Sequence, residues 1–548
     1  MRIPTDLAGR ARQLPSVPRV MVLGLDGGTW DLLTPLAELG VMPNLAALMQ
    51  KAALAPLAST SPCITPVAWT SFQSGSDIGE HGIYDYRYWD HTAGKLCLNH
   101  AGRIAGATLL EAVAAAGGGV ASLNLPMTYP PRVASPHIVV GGLDSPSLGA
   151  ALDACPAFRS RLEAAGIDYD LKSLWRSRPQ SLHELQSGEE RTISAFAGRA
   201  AAARLADQQL DWSLMIVQFQ NLDGLQHRLW HLLSAHGGTS AELIAGRGQA
   251  STTKLADWEH SSQAVNEALK AMRGLDQACG ELLELAAARS AAVVALSDHG
   301  FGPFFGKISV PRVLERQGLL RPATGYARLT HQFRRWQRKA QRWSWKRRHR
   351  GQSSASLRLA ARSRVPLDWD RSPTVTLHGD LAAMVYVNRP ERFGGGPVRS
   401  EKAARDVEQQ VCAALRSARH PQLDTPLFTE AYAVRDRWNC EPLERCWPDV
   451  VAIPAPGWHT RSKWSAADGV VLGDDELTGT HRADGVLLVD APGVVPGEHH
   501  SARLWDVAPT ILQRLGIAPP PSMTGQALDW ACGHAVSTGP SAAGASLR

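Results

Sequence analysis

The sequence predicts an α/β fold: a central, mostly parallel sheet with helices on both faces. Three observations carry that expectation. Short continuous apolar runs recur along the chain, the pattern of strands buried on both faces rather than on one. Helical stretches separate many of them, as strand–helix alternation requires. Three of the runs lead straight into carboxylates, and open α/β sheets hold their ligands at the carboxyl ends of strands.

Taken in order, the first strand is Val20 to Leu25, halted at Asp26-Gly27-Gly28. Similar runs lie at Gly119–Leu125, His137–Val140, Ser213–Phe219, Ala291–Leu296, Asp449–Ile453 and Gly485–Val489. Helices are expected at Pro43–Ala53, Ala107–Ala116, Arg191–Gln209 and Leu255–Ala288. Pro146–Gln186 has little periodicity and reads as an insertion. A second insertion, 308–447, is expected to form a smaller α+β cap, with a strand near Ala383–Asn388 and a helix near Lys402–Arg416. The expected organisation is an N-terminal extension (1–18), a catalytic core in two pieces (19–307 and 448–535), the cap between them, and a Ser/Gly/Ala-rich disordered tail (536–548).

Composition narrows the class. The chain has 548 residues, 44% hydrophobic and 20% charged, ordinary values for a globular protein with a sizeable core. Its formal charge of +6 is localised: the segment 331–350 holds nine Lys or Arg and no acid, and the remainder carries 48 basic against 51 acidic residues. The body is therefore mildly acidic. In the basic segment Phe333, Trp336, Ala340 and Trp343 share one helical face. It reads as a surface helix docking its aromatics, or as an amphipathic helix on an anionic membrane; nucleic-acid binding is a weaker reading. Eight cysteines without a CxxC suit free thiols in a reducing compartment. The first twenty residues lack the apolar run of a signal peptide, and no stretch approaches the roughly 20 apolar residues of a membrane span. A cytoplasmic protein, peripheral to the membrane if the basic helix docks there, is the expectation.

The chemistry lies in carboxylates and histidines that follow buried strands. Asp26 ends the first strand; Asp223 and His227 are four apart, on one face of a helix; Asp298-His299 ends another strand; His481 lies in Gly479-Thr480-His481-Arg482. Three Asp and three His suit zinc or a related divalent cation. With a nucleophile between them they fit two metals about 3.5–4 Å apart. Any one of these residues alone reads as a turn or cap; their co-occurrence carries the argument. The candidate nucleophile is Thr65 in Pro62-Cys63-Ile64-Thr65-Pro66-Val67-Ala68-Trp69. A Thr hydroxyl needs activation, which metal coordination supplies. The plain structural reading is Thr65 at a helix N-cap with Pro66 at N1. That role is compatible with the first, because a helix N-terminus also favours an anionic phosphate.

These segments, with Gly79-Glu80-His81-Gly82-Ile83, Asn124-Leu125-Pro126-Met127-Thr128-Tyr129-Pro130-Pro131, Pro366-Leu367-Asp368-Trp369, Ser297-Asp298-His299-Gly300-Phe301-Gly302 and Asp506-Val507-Ala508-Pro509-Thr510, stand in an order that resembles the type I phosphodiesterase/nucleotide pyrophosphatase branch of the alkaline phosphatase superfamily, and its bacterial members in particular. The resemblance implies an alkaline phosphatase-like fold and a metal-dependent hydrolase of phosphate esters, acting on phosphodiester or pyrophosphate bonds. It implies one metal held by Asp26, Thr65, Asp298 and His299 and another by Asp223, His227 and His481, with zinc expected and manganese as the alternative. It further implies attack by Thr65 to give a phospho-threonine intermediate, hydrolysed by water activated at the second metal. His499 and His500 compete with His481, but the Gly-x-His frame before a buried strand favours His481.

One position departs from the family pattern. Relatives commonly carry an Asn that binds the phosphoryl oxygen; here the position is Tyr86, whose hydroxyl can donate the same bond. Substrate choice is thereby less determined than hydrolysis. A sulfatase is disfavoured, because Cys63-Ile64-Thr65-Pro66-Val67 is not a Cys-x-Pro-x-Arg sequence. A phosphomonoesterase or phosphotransferase of the same superfamily remains an alternative. From a different class, so does a nucleic-acid or membrane binder acting through the basic segment, against which the intact ligand set argues.

Overall fold

The computed structural model describes residues 18–171, 175–234, 257–323, 367–438, 440–442, 444, 446–465, 467–474, 476–498 and 501–532. The basic segment 331–350, Pro366, His499, His500 and the tail from 536 lie outside the described residues.

The central sheet runs in the order Gly497–Glu498, Ala53–Ala58, Asp484–Asp490, Ala292–Leu296, Val20–Gly24, Leu214–Gln218, Val120–Leu123, Ile138–Val140, with Ala502–Arg503 also pairing on Ala53–Ala58. Val20–Gly24 is parallel to both its neighbours, with Gly24 level with Gln218 on one side and Leu296 on the other. Asp484–Asp490 is antiparallel to both of its own. The expected strands of the first half are present within a residue or two.

Alternation along each strand divides the interior into two cores. Met21, Leu23, Met215, Val217, Val293 and Ala295 face one side. There they meet the helices Trp30–Glu38, Pro43–Lys51, Leu182–Gln209, Asn221–Leu233 and Ser262–Ala288. Val20, Val22, Leu214, Ile216, Val294 and Leu296 face the other, under Thr65–Ser74, Leu109–Ala115 and Val507–Arg514. Both faces are covered, as a parallel sheet requires. Among the described residues no single helix is long and apolar enough to cross a membrane.

Three sequence readings change. Asp449–Ile453, read as a strand of the parallel sheet, lies elsewhere: Val450–Pro454 is antiparallel to Ala383–Val387 and to Phe428–Ala433, in a separate four-stranded sheet that Thr374–Thr376 completes. The reason is burial on both faces. Val450 and Ala452 enter a core with the helix Glu401–Arg416, while Val451 packs with Ile64, Val67 and Tyr84. Such a strand is continuously apolar whatever the direction of its neighbours. Ala53–Ala58 is a strand that the sequence reading left unassigned, apart from Ala53 as the end of the preceding helix; its Ala-rich sequence and Pro56 give no strand signal. Pro146–Gln186 contains helices Leu148–Leu152 and Pro156–Ala164 and the start of Leu182–Gln209.

His81 ties the loop after the helix Thr65–Ser74 to that helix. Its Nδ1 accepts from Ile83 N at 3.1 Å, so the proton sits on Nε2, which donates to Ser71 Oγ at 2.8 Å. Full burial pushes its pKa down to about 3 from an ordinary 6.5. Between those values the unfolded chain binds the proton and the folded one does not, so stability is lost as pH falls below about 6.5, by about 1.4 kcal/mol per unit. H81N keeps the acceptor for Ile83 without the titration. Urea unfolding at pH 7 and pH 5 is expected to show a shallower loss for H81N than for the wild type; equal slopes would remove His81 as the cause.

Candidate active site

Three neighbouring strands bring their carboxyl ends to one edge. Val20–Gly24 delivers Asp26, Leu214–Gln218 leads into the helix bearing Asp223 and His227, and Ala292–Leu296 delivers Asp298 and His299. The fourth piece is the short strand Gly479–Arg482, antiparallel to Gly300–Pro303, which sets His481 opposite Phe301. Gly27, at φ +71, makes the turn after the first strand and donates its N–H to Asp298 Oδ1 at 3.1 Å. A Cβ there would meet the Phe301 ring at 2.8 Å, so both conformation and space call for glycine.

The side chains named from sequence converge. Asp26 Oδ1, Asp298 Oδ2 and His299 Nε2 form one cluster, with His299 Nε2 at 3.8 Å from the first and 3.2 Å from the second. Asp223 Oδ1 lies 3.1 Å from His481 Nε2 and 3.4 Å from His227 Nε2. His299 also groups with Asp223 and His481, so it stands between the two halves. Each histidine gives its Nδ1 proton to a backbone carbonyl: His227 to Gly479 and His299 to Gly300, both at 3.0 Å, and His481 to Cys63 at 2.9 Å. All three Nε2 lone pairs therefore face inward, the arrangement that a hydrogen bond from the far ring nitrogen imposes on ligating imidazoles.

Electrostatics fit a cation-binding cluster. Burial, and then the neighbouring carboxylates Asp298 and Asp223, hold Asp26 well above the usual carboxylate range. Burial likewise raises Asp298, with Asp223 adding to it. For Asp223 burial acts in the same direction, but its contacts with His227 and then His481 outweigh burial and hold the carboxyl well below the usual range. Burial lowers His299 and His481, keeping both rings neutral. Asp26 Oδ1 and Asp298 Oδ2 are buried with no hydrogen-bond donor. Two orphaned carboxylate oxygens beside inward-facing lone pairs are a donor set that divalent cations satisfy.

Thr65 is buried, with its Oγ1 3.4 Å from His299 Nε2. It is the first residue of the helix Thr65–Ser74, not its cap. Ile64 is the N-cap, and its carbonyl accepts from Val67 and Ala68 N–H at 2.8 and 2.9 Å. The expected Thr-cap, Pro-N1 arrangement is thus shifted by one residue, because Pro66 fits the first turn equally well at N2. The hydroxyl satisfies no backbone donor and faces the cluster. Tyr86 is half-buried and packs with Ile64 and Val67, which flank Thr65; burial, and then Asp223, holds its phenol well above the ordinary value. Every site residue named from sequence lies in this one cluster.

Sequence reasoning missed the groups that orient Asp26. Its Oδ2 accepts from Trp69 Nε1 at 3.1 Å and from Gln218 Nε2 at 2.5 Å. Gln218 lies against Asn124, whose amide oxygen accepts from the buried Arg199 guanidinium at 2.9 Å, and the Gln218 backbone carbonyl accepts from the same guanidinium. The available signal was Gln218 itself, a polar residue closing the apolar run Leu214–Val217.

Comparison with known proteins bears on the fold and the family. The chain is similar to the crystal structure of phosphonoacetate hydrolase from Sinorhizobium meliloti in complex with phosphonoformate, at 14% identity and a TM-score of 0.53, over 91% of this chain and 96% of that one. It is also matched, at a TM-score of 0.47 and 14% identity, by human ectonucleotide pyrophosphatase/phosphodiesterase 5, over 94% and 98% of the two chains. The first of these shows a shared fold. Among curated proteins nothing matches. The sequence profile of type I phosphodiesterase/nucleotide pyrophosphatase matches residues 20–484. The chain therefore belongs to the type I phosphodiesterase/nucleotide pyrophosphatase family, and is a metal-dependent hydrolase of phosphate esters.

Proposed function

We propose that this enzyme cleaves phosphodiester or pyrophosphate bonds with Thr65 as nucleophile, at a site where Asp26, Thr65, Asp298 and His299 hold one divalent cation and Asp223, His227 and His481 hold a second. The observation that carries this reading is the pair of orphaned, buried carboxylate oxygens on Asp26 and Asp298 beside the Thr65 hydroxyl. Zinc is the favoured ion, because three imidazoles and three carboxylates match its ligand preference. When bound, the ions supply positive charge against the phosphoryl oxygens and lower the pKa of a coordinated hydroxyl.

The residues divide the work. The Thr65 oxygen forms a bond to phosphorus as the bond to the leaving oxygen breaks, giving a phospho-threonine ester. Water then attacks the same phosphorus, restoring the hydroxyl and releasing the phosphoryl product. Placement at the first turn of a helix directs the Thr65 N–H and the positive dipole end toward the anion, since Pro66 has no N–H and those of Val67 and Ala68 go to the Ile64 carbonyl. Tyr86 donates from its hydroxyl to a phosphoryl oxygen in place of the family's Asn. Its phenol stays protonated, as a donor must.

Substrate class follows from Tyr86 and the smaller sheet that packs against Ile64 and Val67 on either side of the nucleophile. A large wall beside phosphorus favours a bulky ester. We expect kcat/KM to be at least about tenfold higher for bis-p-nitrophenyl phosphate or a nucleotide sugar than for p-nitrophenyl phosphate. Phosphonoacetate serves as the carbon–phosphorus control. A monoester hydrolysed faster than every diester and pyrophosphate would assign the chain to phosphomonoesterase chemistry instead.

A further inference from the structure

We infer that Asp85, His378 and Tyr386 form a positioning relay that holds Tyr86 against Thr65 and makes the smaller sheet part of the catalytic apparatus; the inference rests on the reading of Tyr86 as a phosphoryl donor. The relay is directional. Tyr386 Oη donates to His378 Nε2 at 2.7 Å, His378 Nδ1–H donates to Asp85 Oδ2 at 2.5 Å, and Asp85 Oδ1 accepts from the Tyr86 backbone N–H at 2.7 Å. A neutral histidine with its proton on Nδ1 satisfies both bonds at once. The other side of Tyr86 is fixed as well: its carbonyl accepts from Asn99 N at 2.9 Å, and Asn99 Nδ2 returns to the Asp85 carbonyl at 2.6 Å.

The arrangement joins distant parts of the chain. Asp85 and His378 are 293 residues apart; Tyr386 lies in the strand Ala383–Val387 of the smaller sheet, and His378 shortly after Thr374–Thr376. All three side chains are buried, and Tyr386 is 1% exposed. An Asp–His–hydroxyl series suggests a nucleophilic triad, but this hydroxyl is closed to any substrate. What remains open to it is mechanical work on Tyr86. Without the relay the Asp85 carboxylate is free to turn, and a phenol on a loosened backbone meets the phosphoryl oxygen in fewer of its conformations. Misplacement by about an ångström at such a donor is costly in rate.

The test is a double-mutant cycle read on bis-p-nitrophenyl phosphate with the metal-loaded enzyme. H378F is expected to lower kcat about tenfold or more with KM changed less than threefold. H378N, whose amide reproduces the Nδ1 donor to Asp85, is expected to recover most of that loss, whereas H378Q is not. Y386F, a milder change that removes one bond, is expected to lower kcat about threefold. In a Y86F background each of these effects is expected to shrink below twofold, because no phenolic donor is left to position. Equal losses in the wild-type and Y86F backgrounds would make the relay merely structural and overturn the inference while leaving Tyr86 in its role. Wild-type kcat/KM for Y86F alone would overturn the reading of Tyr86 and the relay with it. Should H378F fail to fold, Y386F and H378N decide the same question.

Discussion

T65A is expected to lower turnover of every phosphate ester by at least about a thousandfold while leaving the fold intact, because the covalent step is removed and nothing else in the cluster replaces it. The helix start does not depend on the Thr65 hydroxyl. Ile64 supplies the carbonyl that opens the helix, and Thr65 Oγ1 caps no backbone donor. Its loss therefore removes a hydroxyl that contributes little to stability, roughly 1 kcal/mol or less. T65S retains an oxygen on the same carbon and is expected to stay within about tenfold of wild type. Two measurements check this: steady-state rates for the three proteins, and acid-quenched mass spectrometry of the peptide containing residue 65 during turnover. Added phosphoryl mass on that peptide is expected in the wild type and absent in T65A. A wild-type rate for T65A on any ester that the enzyme hydrolyses would remove Thr65 from the mechanism.

Why the position of Asp26 was legible in the sequence, and that of Gln218 was not, follows from the range of the signals. Asp26, Asp223, Asp298 and His299 stand where a buried apolar run ends, and the end of a parallel strand is a site for ligands whatever the rest of the fold does. His227 is read from a four-residue spacing on one helix. Such patterns are local. Gln218 reaches Asp26 across 192 residues and His378 reaches Asp85 across 293, and no periodicity encodes those pairings. The same limit explains the fold errors. Val450–Pro454 is apolar because both its faces are buried, and burial does not tell parallel from antiparallel neighbours. Ala53–Ala58 is a strand because Asp484–Asp490 pairs with it, a partner more than 400 residues away that overrides weak local propensity.

The metal cluster gives the second large effect. D298N and H481A are each expected to lose one of two bound ions and most activity, since each removes a ligand from a different half of the cluster. Stability supplies a readout separate from rate. Without cations, Asp26, Asp223 and Asp298 share one buried site, and repulsion among them, added to burial, is what holds Asp26 and Asp298 above the carboxylate range. Replacing Asp298 by a neutral amide relieves that burial and repulsion in the metal-free protein, whereas removing a neutral imidazole does not. Chelator-treated D298N is therefore expected to melt at or above the temperature of chelator-treated wild type, and H481A at or below it. Adding zinc reverses the order for D298N, because an ion that binds only the folded state stabilises in proportion to its affinity, about 2.7 kcal/mol at a hundredfold excess over Kd, and the variant binds one ion fewer. Elemental analysis and thermal melts with and without chelator measure both parts. Unchanged metal content in both variants would show that the ions, if held, are held elsewhere. Chelator-treated D298N melting below wild type would show that the three carboxylates do not repel one another.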